Sequence, residues 1–127
     1  MSDCYCDYDP PTFHSRAVRK ARKKHKCFEC GSAIFPGEQY EIVNGKWEGT
    51  IDSFKTCQHC VDLRIWVQNN VPCLCWAHGN MFDDLWDAIE AACDRAPLET
   101  AGLRFGFMRR AIIRDRINKE KRARLAT

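Results

Sequence analysis

Apolar positions recur at helical spacing most cleanly at Met81 or Phe82, Leu85, Trp86, Ile89 and Cys93. Residues three and four apart share a helix face, so 81–95 is predicted to be an amphipathic helix. Asn80 stands before it as a candidate N-cap, Asp83 and Asp84 complement the dipole of its first turn, and Pro97 stops it. Another helix is predicted to open at Cys57-Gln58-His59-Cys60 and run through Val61, Leu63, Ile65, Trp66 and Val67 to Asn69-Asn70, ahead of Pro72. Residues 98–106, with Gly102 and Gly106, form a connector or weak helix. Residues 107–124 are expected to be a basic helix. It sets Phe107, Ala111 and Arg114 beside Met108, Ile112, Ile113 and Ile117, and its last turns project into solvent.

Earlier in the chain the period shortens. Tyr40 and Ile42 alternate imperfectly with Glu38 and Glu41 after the Pro36-Gly37 turn, which is strand-like. Asn44-Gly45 is a strong hairpin signal, because both residues tolerate positive φ. The return strand is then Lys46-Trp47-Glu48-Gly49, continuing through Ile51, Phe54 and Thr56 to Cys57. Residues 12–26 carry too little apolar periodicity for a helix, and Asp9-Pro10-Pro11 closes an irregular N-terminal segment.

The chain is 127 residues long, which sets a prior of one domain, and its 14 aromatic residues demand a core rather than disorder. No apolar run approaches the roughly 18 residues of a membrane-spanning helix, so no membrane is expected among the partners. The start, Met1-Ser2-Asp3-Cys4-Tyr5-Cys6-Asp7, lacks the basic and apolar regions of a secretory leader. The expected compartment is therefore a reducing cytoplasm, where thiols persist.

Nine cysteines in such a compartment need a reason. They fall as Cys4-x-Cys6, Cys27-x-x-Cys30, Cys57-x-x-Cys60, Cys73-x-Cys75 and a single Cys93, a metal-site pattern. A Cys-x-x-Cys turn points two sulfurs at one ion, and zinc prefers four such ligands in a tetrahedron. Cys27, Cys30, Cys57 and Cys60 are the first predicted zinc site, with Gly31 permitting the tight turn of a knuckle. Knuckle, hairpin and a second pair at a helix start make a treble clef. A redox reading of Cys-x-x-Cys would need a βαβ context, which the pattern lacks. Cys4, Cys6, Cys73 and Cys75 are the candidates for a second site, with His78 as a substitute ligand. His59 lies inside the second pair and reads better as a histidine beside the site, and Cys93 as part of a helix core. A four-thiolate site is coordinatively closed, so this zinc is expected to be structural.

Charge is uneven. Residues 1–26 carry +4, residues 27–103 carry −8 and residues 104–127 carry +7, giving the net +3. Two basic ends thus flank an acidic middle. Candidate phosphate contacts are Arg16, Arg19, Lys20, Arg22, Lys23 and Lys24 at one end and Arg109, Arg110, Arg114 and Arg116 at the other. His78-Gly79-Asn80 with Asp83 and Asp84 raises a treble-clef nuclease as an alternative. The hairpin 38–56 has no histidine for it, and Asn80 with those acids is better explained as a helix cap. No enzymatic activity is expected.

Asp7-Tyr8-Asp9-Pro10-Pro11, Arg19-Lys20-Ala21-Arg22, Cys27-Phe28-Glu29-Cys30-Gly31, Pro36-Gly37-Glu38-Gln39-Tyr40, Gly45-Lys46-Trp47 and Phe54-Lys55-Thr56-Cys57 up to Cys60 resemble small zinc-finger proteins encoded by phages and prophages. The resemblance covers roughly the first 70 residues and implies a bacterial cytoplasm. The expected architecture is α+β: a treble-clef zinc region over 1–75 with its N-terminal segment, then a helical region over 76–127. Two or three helices follow the hairpin. The expected function is a protein-interaction module that binds or inhibits a host or defence factor, through the acidic middle or through Trp47 and Trp66. The alternative is nucleic-acid binding by the basic stretches 16–26 and 104–124. The two separate on placement: basic ends gathered on one face favour nucleic acid, and basic ends neutralised by 83–99 favour a protein partner.

Overall fold

The computed structural model describes residues 13–47 and 49–126. Three strands, β1 (Phe13–Lys20), β4 (Gln39–Trp47) and β5 (Thr50–Cys57), form an antiparallel sheet in the order β1-β4-β5. Between β1 and β4 the chain makes a two-stranded ribbon of β2 (His25–Lys26) and β3 (Ala33–Ile34). Helices α1 (Gln58–Asn70), α2 (Met81–Arg95) and α3 (Leu103–Ala126) follow. The class is mixed α and β, as the pattern predicts.

The hairpin turn is not at Asn44-Gly45. Both residues lie within β4, opposite Ser53 and Asp52 of β5, and the chain reverses between Trp47 and Thr50, where Gly49 adopts φ +81°. Lys46 and Trp47 therefore belong to the outgoing strand. The reason is β1, which has no apolar alternation and is exposed from His14 to Lys20. It pairs with β4 from Phe13↔Lys46 to Lys20↔Gln39, so β4 is the central strand. Reversing at Asn44-Gly45 would forfeit ladder bonds on both of its edges. Asn44 is also held in place by the Ser53 hydroxyl, which donates to its Oδ1.

The buried side chains form one cluster. Ile34, Tyr40 and Ile42 from the strands meet Cys60, Leu63 and Val67 of α1, Met81, Leu85 and Ile89 of α2, and Leu103 and Phe107 of α3. Phe107 packs at 5.3 Å from the Phe82 ring and 5.6 Å from the Trp86 ring. Glu41 and Arg64 are buried together. Arg64 donates to Oε1 at 2.9 Å and Oε2 at 2.6 Å, which ties α1 to the central strand and neutralises both charges. Arg64 also lies over Trp76 at 4.8 Å.

Helix α3 starts at Leu103, four residues before the expected start, and its last turns do not project freely. Lys121 is buried there, and its Nζ donates to the Ala33 carbonyl at 3.0 Å and to Glu38 Oε1 at 3.1 Å. The C-terminal half of α3 thus lies along β3. Its first half packs on α1 through Gly106, where a β-carbon would come within 2.8 Å of the Trp66 ring.

Candidate metal centre and the adjoining basic groove

The short β2–β3 ribbon closes a turn that carries Cys27 and Cys30. Cys27 N–H donates to the Ser32 carbonyl at 2.8 Å and Gly31 N–H to the Cys27 carbonyl at 3.0 Å. Gly31 sits at φ +73°, a backbone state that side chains disfavour. Phe28 N–H donates to the Lys55 carbonyl and docks this knuckle on β5. Cys57 ends β5 and caps α1, and Cys60 lies in the first turn of that helix. The sequence-predicted set therefore converges. Sγ of Cys27 is 3.9 Å from that of Cys60, Sγ of Cys30 is 3.7 Å from that of Cys57, and all four lie within 4.8 Å of one another. Sulfurs about 2.3 Å from a tetrahedral zinc are about 3.8 Å apart, so the spacing fits that ion.

Electrostatics lead to the same requirement. Hydrogen bonds from Cys30, Cys57 and Cys60 pull the Cys27 thiol far down against its burial. Donation to Cys27 pushes Cys30 up, while bonds from Cys57 and Cys60 bring it to about 7. Cys57 and Cys60 are pushed up, each chiefly by its bond to Cys27. Four thiolates this close repel one another, so all four ionise together only with a cation among them. Arg114 is part of the compensation. Burial pulls its pKa down, but the Cys60 sulfur, Asp115 and Cys30 raise it.

Among the described residues this is the one group of three or more histidines, cysteines and acids poised to hold an ion. No protein family, curated protein or solved structure matches this chain.

The other predicted ligands divide. Cys73 and Cys75 are each disulfide-bonded, and with sulfurs 3.9 Å apart not to one another, so they do not stand as the free thiolates expected of them; Cys4 and Cys6 lie outside the described residues. Among the described residues, His78 forms no ligand group with Cys73 and Cys75. It is stacked on Phe54 at 4.3 Å, with Trp76 and Trp47 edge-on, and burial lowers its pKa to about 4. His59 stands apart from the sulfurs, beside Asp62 and Arg110. Cys93 is buried in the α2 core.

Asn80 occupies the N-cap position of α2 but makes no side-chain cap bond; its amide donates to Asp84 Oδ1 at 2.9 Å. The cap comes from the knuckle. Glu29 accepts from Gly79 N–H at 2.6 Å and Met81 N–H at 3.2 Å. Burial raises the Glu29 pKa, and those two bonds oppose the shift. A residue between two of the clustered cysteines thus fastens a helix far along the chain, and no local signal announces it.

The basic ends converge beside the metal centre. Lys24 and Lys26 from the knuckle side and Arg114, Lys121 and Arg122 from α3 line one groove of about 650 Å³, which also includes Cys30, Gly31 and Ser32. A neighbouring depression is lined by Arg19, Lys20, Arg22 and Lys23, and the two share His25. The remaining candidates lie outside both linings. Arg16 is 3.7 Å from Glu41, Arg110 is stacked over Trp66 at 4.2 Å, and Arg109 and Arg116 are exposed on α3. Trp47 and Trp66, expected as bare contact aromatics, are packed against Phe54 and Gly106 respectively. Exposed apolar side chains on α3 include Phe105, Met108 and Ile112, at 72%, 44% and 54%.

Proposed function

We propose that this is a non-catalytic zinc protein of treble-clef type that binds the phosphate backbone of a nucleic acid along the basic groove. The observation that carries the reading is the convergence of both basic stretches, distant in sequence, on two depressions that share His25. The acidic middle engages Arg104 through Glu90 and Asp94, Lys121 through Glu38 and Arg16 through Glu41, but Lys24, Lys26 and Arg122 line the groove with no such ion pair among the described residues. The zinc would be held by Cys27, Cys30, Cys57 and Cys60 and would shape one groove wall through Gly31 and Ser32. Its four ligands leave no position for water, which supports a structural role. A second zinc on Cys4, Cys6, Cys73 and Cys75 would require the disulfide-bonded Cys73 and Cys75 to be reduced first. The phage or prophage setting rests on the resemblance of the first 70 residues.

Fluorescence anisotropy with a labelled oligonucleotide across a salt series tests the reading. Affinity should fall linearly in log–log form, with a slope of about −0.7 to −0.9 per phosphate contacted. Charge reversal at Lys24 and Arg122 should weaken binding, and reversal at Arg109 and Arg116 should not. Equal losses from both pairs would reduce the groove to general positive charge.

A protein-interaction module that binds or inhibits a host or defence factor is the second reading. The exposed stripe Phe105, Met108 and Ile112 favours it. Substituting serine at those three positions would abolish such an association and leave oligonucleotide binding intact.

A further inference from the structure

We infer that Cys30 is the oxidisable sulfur of the four-cysteine cluster: a hydroperoxide that reaches it through the basic groove joins it to Cys57 as a disulfide and strips the site of its zinc. The inference rests on the zinc reading of that cluster and adds a modification site within it.

The four cysteines are not equally placed. Cys27, Cys57 and Cys60 are 1%, 3% and 0% exposed, whereas Cys30 is partly exposed and lines the groove. A sulfur bound to zinc is already a thiolate, so access rather than ionisation decides which one meets an oxidant. Reactive cysteines are partly exposed and sit in electropositive surroundings, and Cys30 has both properties. Lys26, Arg114, Lys121 and Arg122 line the same groove. The Lys26 side chain runs over Gly31, 3.6 Å from where a β-carbon would stand. The Arg114 guanidinium interacts electrostatically with the Cys30 sulfur. The other described cysteines do not compete: Cys93 is buried, and Cys73 and Cys75 are already disulfide-bonded.

Cys57 Sγ, 3.7 Å from Cys30 Sγ, supplies the second step. The Cys30 thiolate takes an oxygen from hydrogen peroxide as the O–O bond breaks, which gives a sulfenic acid and hydroxide. The Cys57 thiolate then attacks that sulfur, the S–S bond forms and a second hydroxide leaves. Two electrons pass from the sulfurs to the peroxide, which ends as water after protonation. Only Cys27 and Cys60 then remain as ligands, too few for a tetrahedral site. The knuckle loses its ion, and the groove wall at Gly31 and Ser32 goes with it. Oxidation at one partly exposed sulfur thereby dismantles the basic groove.

The test treats the zinc-loaded natural chain with limiting hydrogen peroxide beside a chromogenic zinc chelator. A parallel sample contains dimedone to trap sulfenic acid, and both are mapped by peptide mass spectrometry. The expected result is a dimedone adduct on Cys30, a Cys30–Cys57 disulfide where dimedone is left out, and one zinc lost per disulfide above the peroxide-free control. Oligonucleotide binding, read by anisotropy, should be lost with the zinc and return after reduction and zinc addition. First modification at Cys27, Cys57 or Cys60, or oxidation of Cys30 with the zinc retained, overturns the inference. A purified chain without zinc overturns the zinc reading and the inference with it. Zinc loss that leaves oligonucleotide binding unchanged contradicts the groove reading alone and keeps the assignment of Cys30.

Discussion

The two walls of the groove are held by different physics. The knuckle wall, from His25 to Ile34, is a two-residue ribbon and a turn whose buried anchors are chiefly Cys27 and Ile34. It has too little apolar surface to hold itself, so on the zinc reading its stability would come from the binding free energy of that ion. The opposite wall, α3, is an ordinary buried helix face: Leu103, Phe107 and Ala111 face α2 and α1 in a dry core. The walls are then stitched together by Glu29 on the start of α2 and by Lys121 on the Ala33 carbonyl. A binding surface assembled across such a seam fails when either wall fails, but by distinguishable routes.

The largest effect should come from taking the ion away. Prolonged chelation is expected to unfold the knuckle and the start of α1, since structural zinc contributes about 10–16 kcal/mol in small zinc-finger peptides. Loss of near-ultraviolet dichroism on chelation, restored by zinc, is the expected result; an unchanged spectrum would mean that the knuckle stands without metal. Next comes Phe107→Ala in the other wall. It should cost about 3–5 kcal/mol in urea unfolding, while the folded fraction keeps its zinc. Loss of zinc at denaturant-free equilibrium would show that the walls are not independent.

Gly106→Ala sharpens the comparison by its sign. Alanine should stabilise a helix interior by about 1 kcal/mol, but here the new methyl meets Trp66 at 2.8 Å. The net effect should be destabilising, with an overpacking cost of about 1–3 kcal/mol. A rise in melting temperature would contradict the α1–α3 packing. His78, stacked on Phe54, adds a pH-dependent effect. Burial holds His78 at about 4 against an ordinary 6.5, so the unfolded chain takes up a proton first as the pH falls. Stability is therefore intact above pH 6.5 and lost progressively towards pH 4, and His78→Phe should flatten that part of the profile. Parallel profiles for the two proteins would remove His78 from the account.

The parts of this structure that were legible in the sequence are those with local signals. Cys27, Cys30, Cys57 and Cys60 were legible because Cys-x-x-Cys spacing is set by metal geometry, and α2 because its apolar face repeats at 3.6 residues. What was hidden depends on distant partners. β1 lacks alternation because both of its faces are exposed, and without it Asn44-Gly45 looks like a turn rather than the middle of a central strand. Lys121 reads as a solvated cation, but Ala33 and Glu38, far back in the chain, bury it. The Glu29 cap on α2 and the meeting of Lys24 and Lys26 with Arg114 and Arg122 arise from the same long-range folding. Charge runs were visible in the sequence; the groove between them was not.

The account turns on a zinc ion holding one wall of that groove. Native mass spectrometry of the chain and of a Cys27→Ala/Cys60→Ala variant, both purified without chelator, tests this directly. The account predicts that the variant carries one zinc fewer than the natural sequence. A natural chain without zinc, or equal metal content in the two proteins, would contradict it.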